Sequence, residues 1–150
     1  MSNMFDPDTF LDSFVDEANE TERVLIPAKV YPAYVEDVGM RTGSREDGSP
    51  WVQLVVKWCI EDADAAAVLN KDKVVLTDSF FIDLDDDGRI ATGTNKNLGL
   101  GRLRKAVGKN TGKFSPRDLV GCRALIDVKH TVNKESGMPR EEVKSVASMG

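Results

Sequence analysis

The chain has 150 residues and a mass of 16.5 kDa, which suits one domain of ordinary size. Apolar residues make up 41% and charged residues 30%, a composition that supports a packed core and excludes global disorder. Two cysteines, Cys59 and Cys122, and a single histidine exclude a disulfide framework and argue against a zinc site.

The same scarcity disfavours Ser-His-Asp and Cys-His catalysis, since every version would run through His130. No enzymatic activity, metal or cofactor is therefore expected. No apolar run approaches the roughly 20 residues of a membrane helix, and the acidic stretch 1–14 does not read as a signal peptide. The expectation is a soluble, cytoplasmic protein without membrane contact.

Residues 5–20 read as an acidic, weakly amphipathic helix or arm. Phe10 and Phe14 are spaced i, i+4, and Asp6 or Asp8 is placed to cap its start near Pro7. We set a boundary after residue 24, with an N-terminal arm 1–24 and one domain 25–150. Residues 28–38 alternate imperfectly around Pro32, as an edge strand or a bulge would. Residues 40–50 (MRTGSREDGSP) read as a loop.

Residues 51–60 give the clearest strand. Val52, Leu54, Val56, Trp58 and Ile60 share one face; Trp51, Gln53, Val55, Lys57 and Cys59 share the other. An alanine-rich connection over 61–70 has room for one or two helical turns. Residues 73–84 form the next strand, with Val74, Leu76, Phe80, Ile82 and Leu84 on the core parity and Asp78 the misfit among them. Lys73, Val75, Thr77, Ser79, Phe81 and Asp83 point the other way.

A turn at 85–88 ends on Gly88. A short helix is predicted over 98–108, capped by Asn95 or Asn97, stopped by Gly108, and carrying Leu100, Leu103 and Val107 inward. A capped helical turn at 115–119 follows. The strand 122–132 carries Ala124, Ile126 and Val128 inward, and a last strand spans 140–147.

The order is strand, strand, strand, helix, strand, strand. It predicts a mainly β protein with one or two short helices, in which a five-stranded Greek-key barrel of OB-fold type holds a helix between strands three and four. That architecture presents its second and third strands, and two loops, to oligonucleotides. Fold alone does not assign function.

Charge adds to this. The net charge is −5, but residues 94–150 carry +7 and residues 1–93 carry −12. Residues 88–117 hold eight basic side chains and no acid. Such asymmetry suggests a polyanion for the basic segment, or a basic face neutralised by the acidic half.

Trp51 and Phe81 are the sharper signal. On the outer parity a large aromatic gains nothing from the core, and Gln53, Lys57 and Lys73 share those faces. Aromatics interleaved with cations are what stacking of bases along a tracked backbone requires. The competing reading covers one of these rings with the arm or with residues 61–70.

The expected nucleic-acid contacts are Trp51, Gln53, Lys57, Lys73 and Phe81 from the strands, with Arg41, Arg45, Lys134 and Arg140 from the loops. Lys96, Arg102 and Lys105 from the basic helix region, and Arg123 and Lys129 from the fourth strand, complete the set. Gly93–Gly101 (GTNKNLGLG) matches no nucleotide-hydrolase loop but offers a phosphate contact through Lys96. Asp83, Asp85, Asp87 and Gly88 mimic half of a calcium loop, yet Thr94 stands where the closing carboxylate belongs, so an acidic hairpin turn is the better account.

The chain resembles small phage-encoded single-stranded DNA-binding proteins of replication and recombination. The resemblance rests on Trp58 with Ile60; Phe81, Ile82, Asp83 and Leu84; Gly93 with Lys96 and Asn97; and Leu100, Gly101, Arg102, Leu103 and Arg104. Gly108, Leu119 with Gly121, and Val128, Lys129 and His130 extend it across residues 5 to 147.

It implies an OB-like, non-catalytic binder located in the cytoplasm of a host cell. The chain departs from bacterial single-strand binders in ending without an acidic tail, which leaves the N-terminal arm as the acidic element. Expected partners are single-stranded DNA, then replication or recombination proteins, with homo-oligomer formation as a further expectation. The alternative is a protein–protein module or phage structural or adaptor subunit.

Overall fold

The alternation of apolar residues along the chain is realised as one five-stranded antiparallel sheet in the computed structural model, which describes residues 5–149. The elements in chain order are α1 (Pro7–Phe10), β1 (Val30–Ser44), β2 (Pro50–Ile60), α2 (Ala63–Leu69), β3 (Val74–Ile82), α3 (Leu98–Ala106), a 3-10 turn (Pro116–Leu119), β4 (Arg123–Val132) and β5 (Pro139–Ala147). The sheet order is β3-β2-β1-β4-β5.

The central strand does the organising. The start of β1 pairs with β4, from Val30 opposite Asp127 to Tyr34 opposite Arg123. From Ala33 to Ser44 it pairs with β2. A bulge between Val35 and Asp37 leaves Glu36 as the extra residue, and bulges bend and twist the strand that carries them. The sheet curls so that its edges, β3 and β5, come into contact, although no ladder joins them and the sheet stays open.

Inside the curl, the parity of the sequence is obeyed. Leu54, Val56, Trp58 and Ile60 of β2 are buried, as are Ala124, Ile126 and Val128 of β4. Leu100 and Leu103 of α3 join this core, while Arg102 and Lys105 stay exposed. Tyr31 of β1 points inward and is fully buried, and its hydroxyl donates to the Pro27 carbonyl at 2.6 Å. Tyr34 is half-buried on the opposite parity.

Four local expectations are corrected. The arm is helical only over Pro7–Phe10, where Asp6 accepts from the Asp8 amide; residues 11–29 have no regular secondary structure before β1. Phe10 and Phe14 are 56% and 86% exposed, with Phe10 meeting the Phe5 ring of the same arm at 5.5 Å between centroids, and the chain is first anchored at Ile26, which is fully buried. The Ile26 amide donates to Glu141, and the His130 imidazole Nε2–H donates to the Ile26 carbonyl at 2.6 Å. Residues 1–4 of the expected arm lie outside the described residues.

The loop read over 40–50 is mostly strand. β1 runs to Ser44 and only residues 45–49 turn, because Arg45 bonds back to Ser49 and Pro50 and closes the hairpin. Pro32 marks neither an edge nor the bulge. Its carbonyl accepts from Glu61, its missing N–H faces the same neighbour without a reciprocal bond, and the ladder with β2 stops there at Ile60.

Asn97 precedes α3 in a left-handed conformation but its side chain makes no cap bond. It turns instead to β3 and the following loop. Its Oδ1 accepts from the Asp83 amide at 2.7 Å, and its Nδ2 donates to the carbonyls of Asp83 and Ala91.

Asp78 is the sequence misfit, and its cost is visible. It pairs with Val56 on the core parity, and partial burial raises its carboxyl pKa to about 6, with Glu142 adding repulsion and the Ser79 amide opposing the shift. Between about pH 4 and pH 6 the folded protein keeps a proton that the unfolded chain has released. Stability therefore falls as pH rises through that window. Asp78→Asn is expected to raise stability at pH 7 by about 1–2 kcal/mol, allowing for solvent screening, and to flatten the pH dependence. Melting curves at pH 4.5 and pH 7 read both effects.

Candidate nucleic-acid interface

The register of β1, β2 and β3 assembles the outer face row by row. Arg41, Gln53 and Phe81 are directly opposite one another across three strands, so their side chains share a face. Gly43 and Trp51 form the next row, while Gly39, Val55 and Ser79, then Asp37, Lys57 and Thr77, follow on the other side.

Phe81 is 68% exposed. Trp51 stands diagonally beside it, with ring centroids 5.9 Å apart and planes at 73°, an edge-to-face contact.

Trp51 is not a free-standing ring. It is half-buried because its indole packs on the backbone of Gly43, where an added Cβ would lie about 2.5 Å from ring atoms. The Thr42 hydroxyl also donates to the Trp51 carbonyl at 2.9 Å. The pair is thus pre-positioned: one ring braced by the strand, the other open.

The remaining expected contacts divide. Arg41 and Lys57 are exposed on the face of the aromatic pair. Lys73 lies beyond the far end of β3, eight residues from Phe81, and pairs with the Glu36 carboxylate on the bulge. Arg123 shares a row with Tyr34, Cys59 and Val75 at the far end of the sheet, and its Nε holds Glu61 at 2.9 Å. Both cations are ion-paired and lie at the far end of the sheet, away from the aromatic site.

Arg45 is likewise spent on the turn, donating to the Pro50 carbonyl at 2.7 Å. On the β4–β5 hairpin, Lys129 faces Glu142 across the ladder and Arg140 donates to the Thr131 hydroxyl, while Lys134 is exposed in the turn.

Lys96, Arg102 and Lys105 gather elsewhere, on a cleft of about 370 Å³ between α3 and the loop before it. Arg104 also lines it, but its guanidinium lies 4.3 Å from the Phe114 ring centre and its Nε donates to the Lys109 carbonyl. Arg104 builds the wall.

No protein-family model matches the chain, and a search of curated proteins finds no match. The site has to be read from its own chemistry.

Two contributors escaped the sequence. Gly43 braces Trp51, but reading residues 40–50 as a loop hid its position opposite that ring. Asn95 and Asn97 both suit a helix cap because Asn is favoured there, and nothing in the sequence reveals that Asn97 bonds Asp83 instead.

Among the described residues no group of three His, Cys, Asp or Glu is placed to hold a metal. The acidic turn is an Asx-type hairpin: Asp85 Oδ1 accepts from the amides of Asp87 and Arg89, and Leu84 bridges to Ile90. Millimolar calcium is expected to leave the melting temperature unchanged, and a chelator-reversible rise of several degrees would contradict that.

Proposed function

We propose that the protein is a sequence-tolerant single-stranded DNA-binding protein of OB type, acting in phage replication or recombination without catalysis. The observation that carries it is the Trp51–Phe81 pair on the outer face of β2 and β3, with Arg41 and Gln53 in the Phe81 row. Every base has a π-face, so such a pair binds bases without reading their sequence, while Arg41 and Lys57 meet the phosphates.

The OB reading is supported by the strand order, by the sharing of β1 between β2 and β4, and by the approach of β3 to β5. The resemblance to phage single-strand binders agrees with it.

Titration with oligo-dT tests this directly. Trp51 fluorescence is expected to quench as bases stack, and no change up to high micromolar strand would refute the proposal. Binding is also expected to weaken with salt. At about −0.7 per phosphate neutralised on a log–log scale, four to six engaged cations give a slope of roughly −3 to −4. A slope near zero would assign the basic residues to folding or assembly.

One observation favours a second reading, a protein-interaction module. The acidic arm exposes Phe5, Phe10, Leu11, Phe14 and Val15, all more than half accessible. Exposed apolar side chains gathered in one segment mark a protein contact. Removing residues 1–24 is expected to leave oligo-dT binding intact under the first reading.

A further inference from the structure

We infer that the α3 cleft is a phosphodiester-binding subsite, and that a strand stacked on Trp51 and Phe81 continues past the end of β3 into it. The inference rests on the single-strand reading above and adds to it a second contact region, a direction and a length requirement.

Continuity is the first support. Asp83 is two residues beyond Phe81 on the same parity, about 7 Å along the chain. The Asp83 backbone is clamped by both ends of the Asn97 side-chain amide, and Asn97 is itself a lining residue of the cleft. The same amide holds Ala91, on the cleft's other wall. Phe80, the inward neighbour of Phe81, packs against Gly99 in the first turn of α3. The aromatic pair and the cleft are therefore two ends of one stitched surface.

Charge is the second support, and it is independent of the first. Lys96, Arg102 and Lys105 line the cleft, and no acidic side chain does. None of the three has an ion-pair partner among the described residues; the acids pair with Arg23, Lys29, Lys73 and Arg123 instead. An acidic protein that leaves its densest cations unneutralised around a concave surface has a site suited to an external polyanion. The lining also includes Thr92, Gly93 and Asn110, small or uncharged groups that leave room for a sugar–phosphate chain.

In a simple OB-type barrel the helix between the third and fourth strands lies away from the β2–β3 face. Here the Asn97 clamp brings the cleft to the end of β3.

The test compares the intact protein with the triple variant Lys96→Ser, Arg102→Ser, Lys105→Ser on dT oligomers of about 4 and about 16 nucleotides, the span of OB-type sites. All three side chains lie at the surface, so the variant is expected to melt like the parent. Arg104 is left in place because it supports the wall.

The short oligomer should quench Trp51 with similar affinity in both proteins. With the long one the variant should bind about tenfold or more weakly, and its salt slope should be shallower by about 2, from three lost contacts. Restoring charge with Lys96→Arg and Lys105→Arg in place of the serines should recover most of the loss. Equal affinity and equal slope on the long oligomer, with quenching retained, would overturn the cleft and leave the aromatic site standing. Absence of quenching by either oligomer in the parent would overturn the single-strand reading itself, and the cleft inference with it.

Discussion

Trp58→Ala is expected to destabilise the protein by about 3–5 kcal/mol, and Trp58→Phe by no more than about 1 kcal/mol. Trp58 is the largest fully buried side chain, opposite Val35 on one side and Leu76 on the other, so truncation to alanine opens a cavity at the centre of the curled sheet. The phenylalanine variant differs for a second reason. Trp58 Nε1 is buried with no hydrogen-bond partner, and leaving such a donor unpaired costs roughly 1–3 kcal/mol. Phenylalanine removes that penalty along with part of the volume, and the two effects oppose one another.

In thermal melts the alanine variant should fall by roughly 6–20 °C for a chain of this size. A Trp58→Phe loss well above about 1 kcal/mol would show that the indole N–H finds a partner in solution.

Most of the fold was legible because its signal is the period-two alternation of β2, β3 and β4, which burial enforces on the core face, although Val55 and Cys59 on the outer parity of β2 are buried as well. Residues at odd positions of β2 point out because a one-residue slip would turn Trp58 and Val56 into solvent. The failures have the opposite character. Residues 40–44 are strand although they read as a loop: Met40, Arg41 and Thr42 are exposed at the far end of β1, where no core selects apolar side chains. Pairing with β2 alone holds that segment. Phe10 and Phe14 are four apart, as on a helix face, but both stay mostly exposed, Phe10 meeting the Phe5 ring of the same arm, and a short helix that does not pack on the core is not stable in water.

The candidate site was legible residue by residue but not as a set. Parity placed Trp51, Gln53, Lys57 and Phe81 together, since a strand face is a one-dimensional pattern. Which cation is free is a question about partners in other elements, and a sequence does not contain the answer. Lys73 and Arg123 have the same chemistry as Arg41. They leave the site because they lie at the far end of the sheet, where the bulge presents Glu36 to one and Glu61, just past β2, stands beside the other. Arg102 and Arg104 are two residues apart on one short helix, yet one lines the cleft unpaired while Phe114 and two carbonyls hold the other.

The exposed aromatics should behave oppositely to Trp58. Trp51→Ala and Phe81→Ala are each expected to weaken single-strand binding by about 1–3 kcal/mol, the value of one base–aromatic stack. Phe81→Ala should change stability little, because the ring is 68% exposed and leaves no cavity. Trp51→Ala should cost somewhat more, because its packing on Gly43 is lost as well.

Gly43→Val provides the sharper control. Its side chain would occupy the space of the Trp51 indole and drive the ring away from Phe81 without touching either aromatic covalently. If binding depends on the braced pair, Gly43→Val should approach the loss seen for Trp51→Ala, with the salt slope unchanged because no cation has been removed. The protein has two tryptophans, so the tolerated Trp58→Phe background makes Trp51 the sole fluorescent reporter for Phe81→Ala and Gly43→Val, while Trp51→Ala is followed by titration calorimetry. Unaltered affinity in Gly43→Val, with Trp51 emission shifted, would mean that bases need the ring but not its position. Unaltered affinity in Trp51→Ala and Phe81→Ala together would remove stacking from the mechanism and leave charge alone to hold the strand.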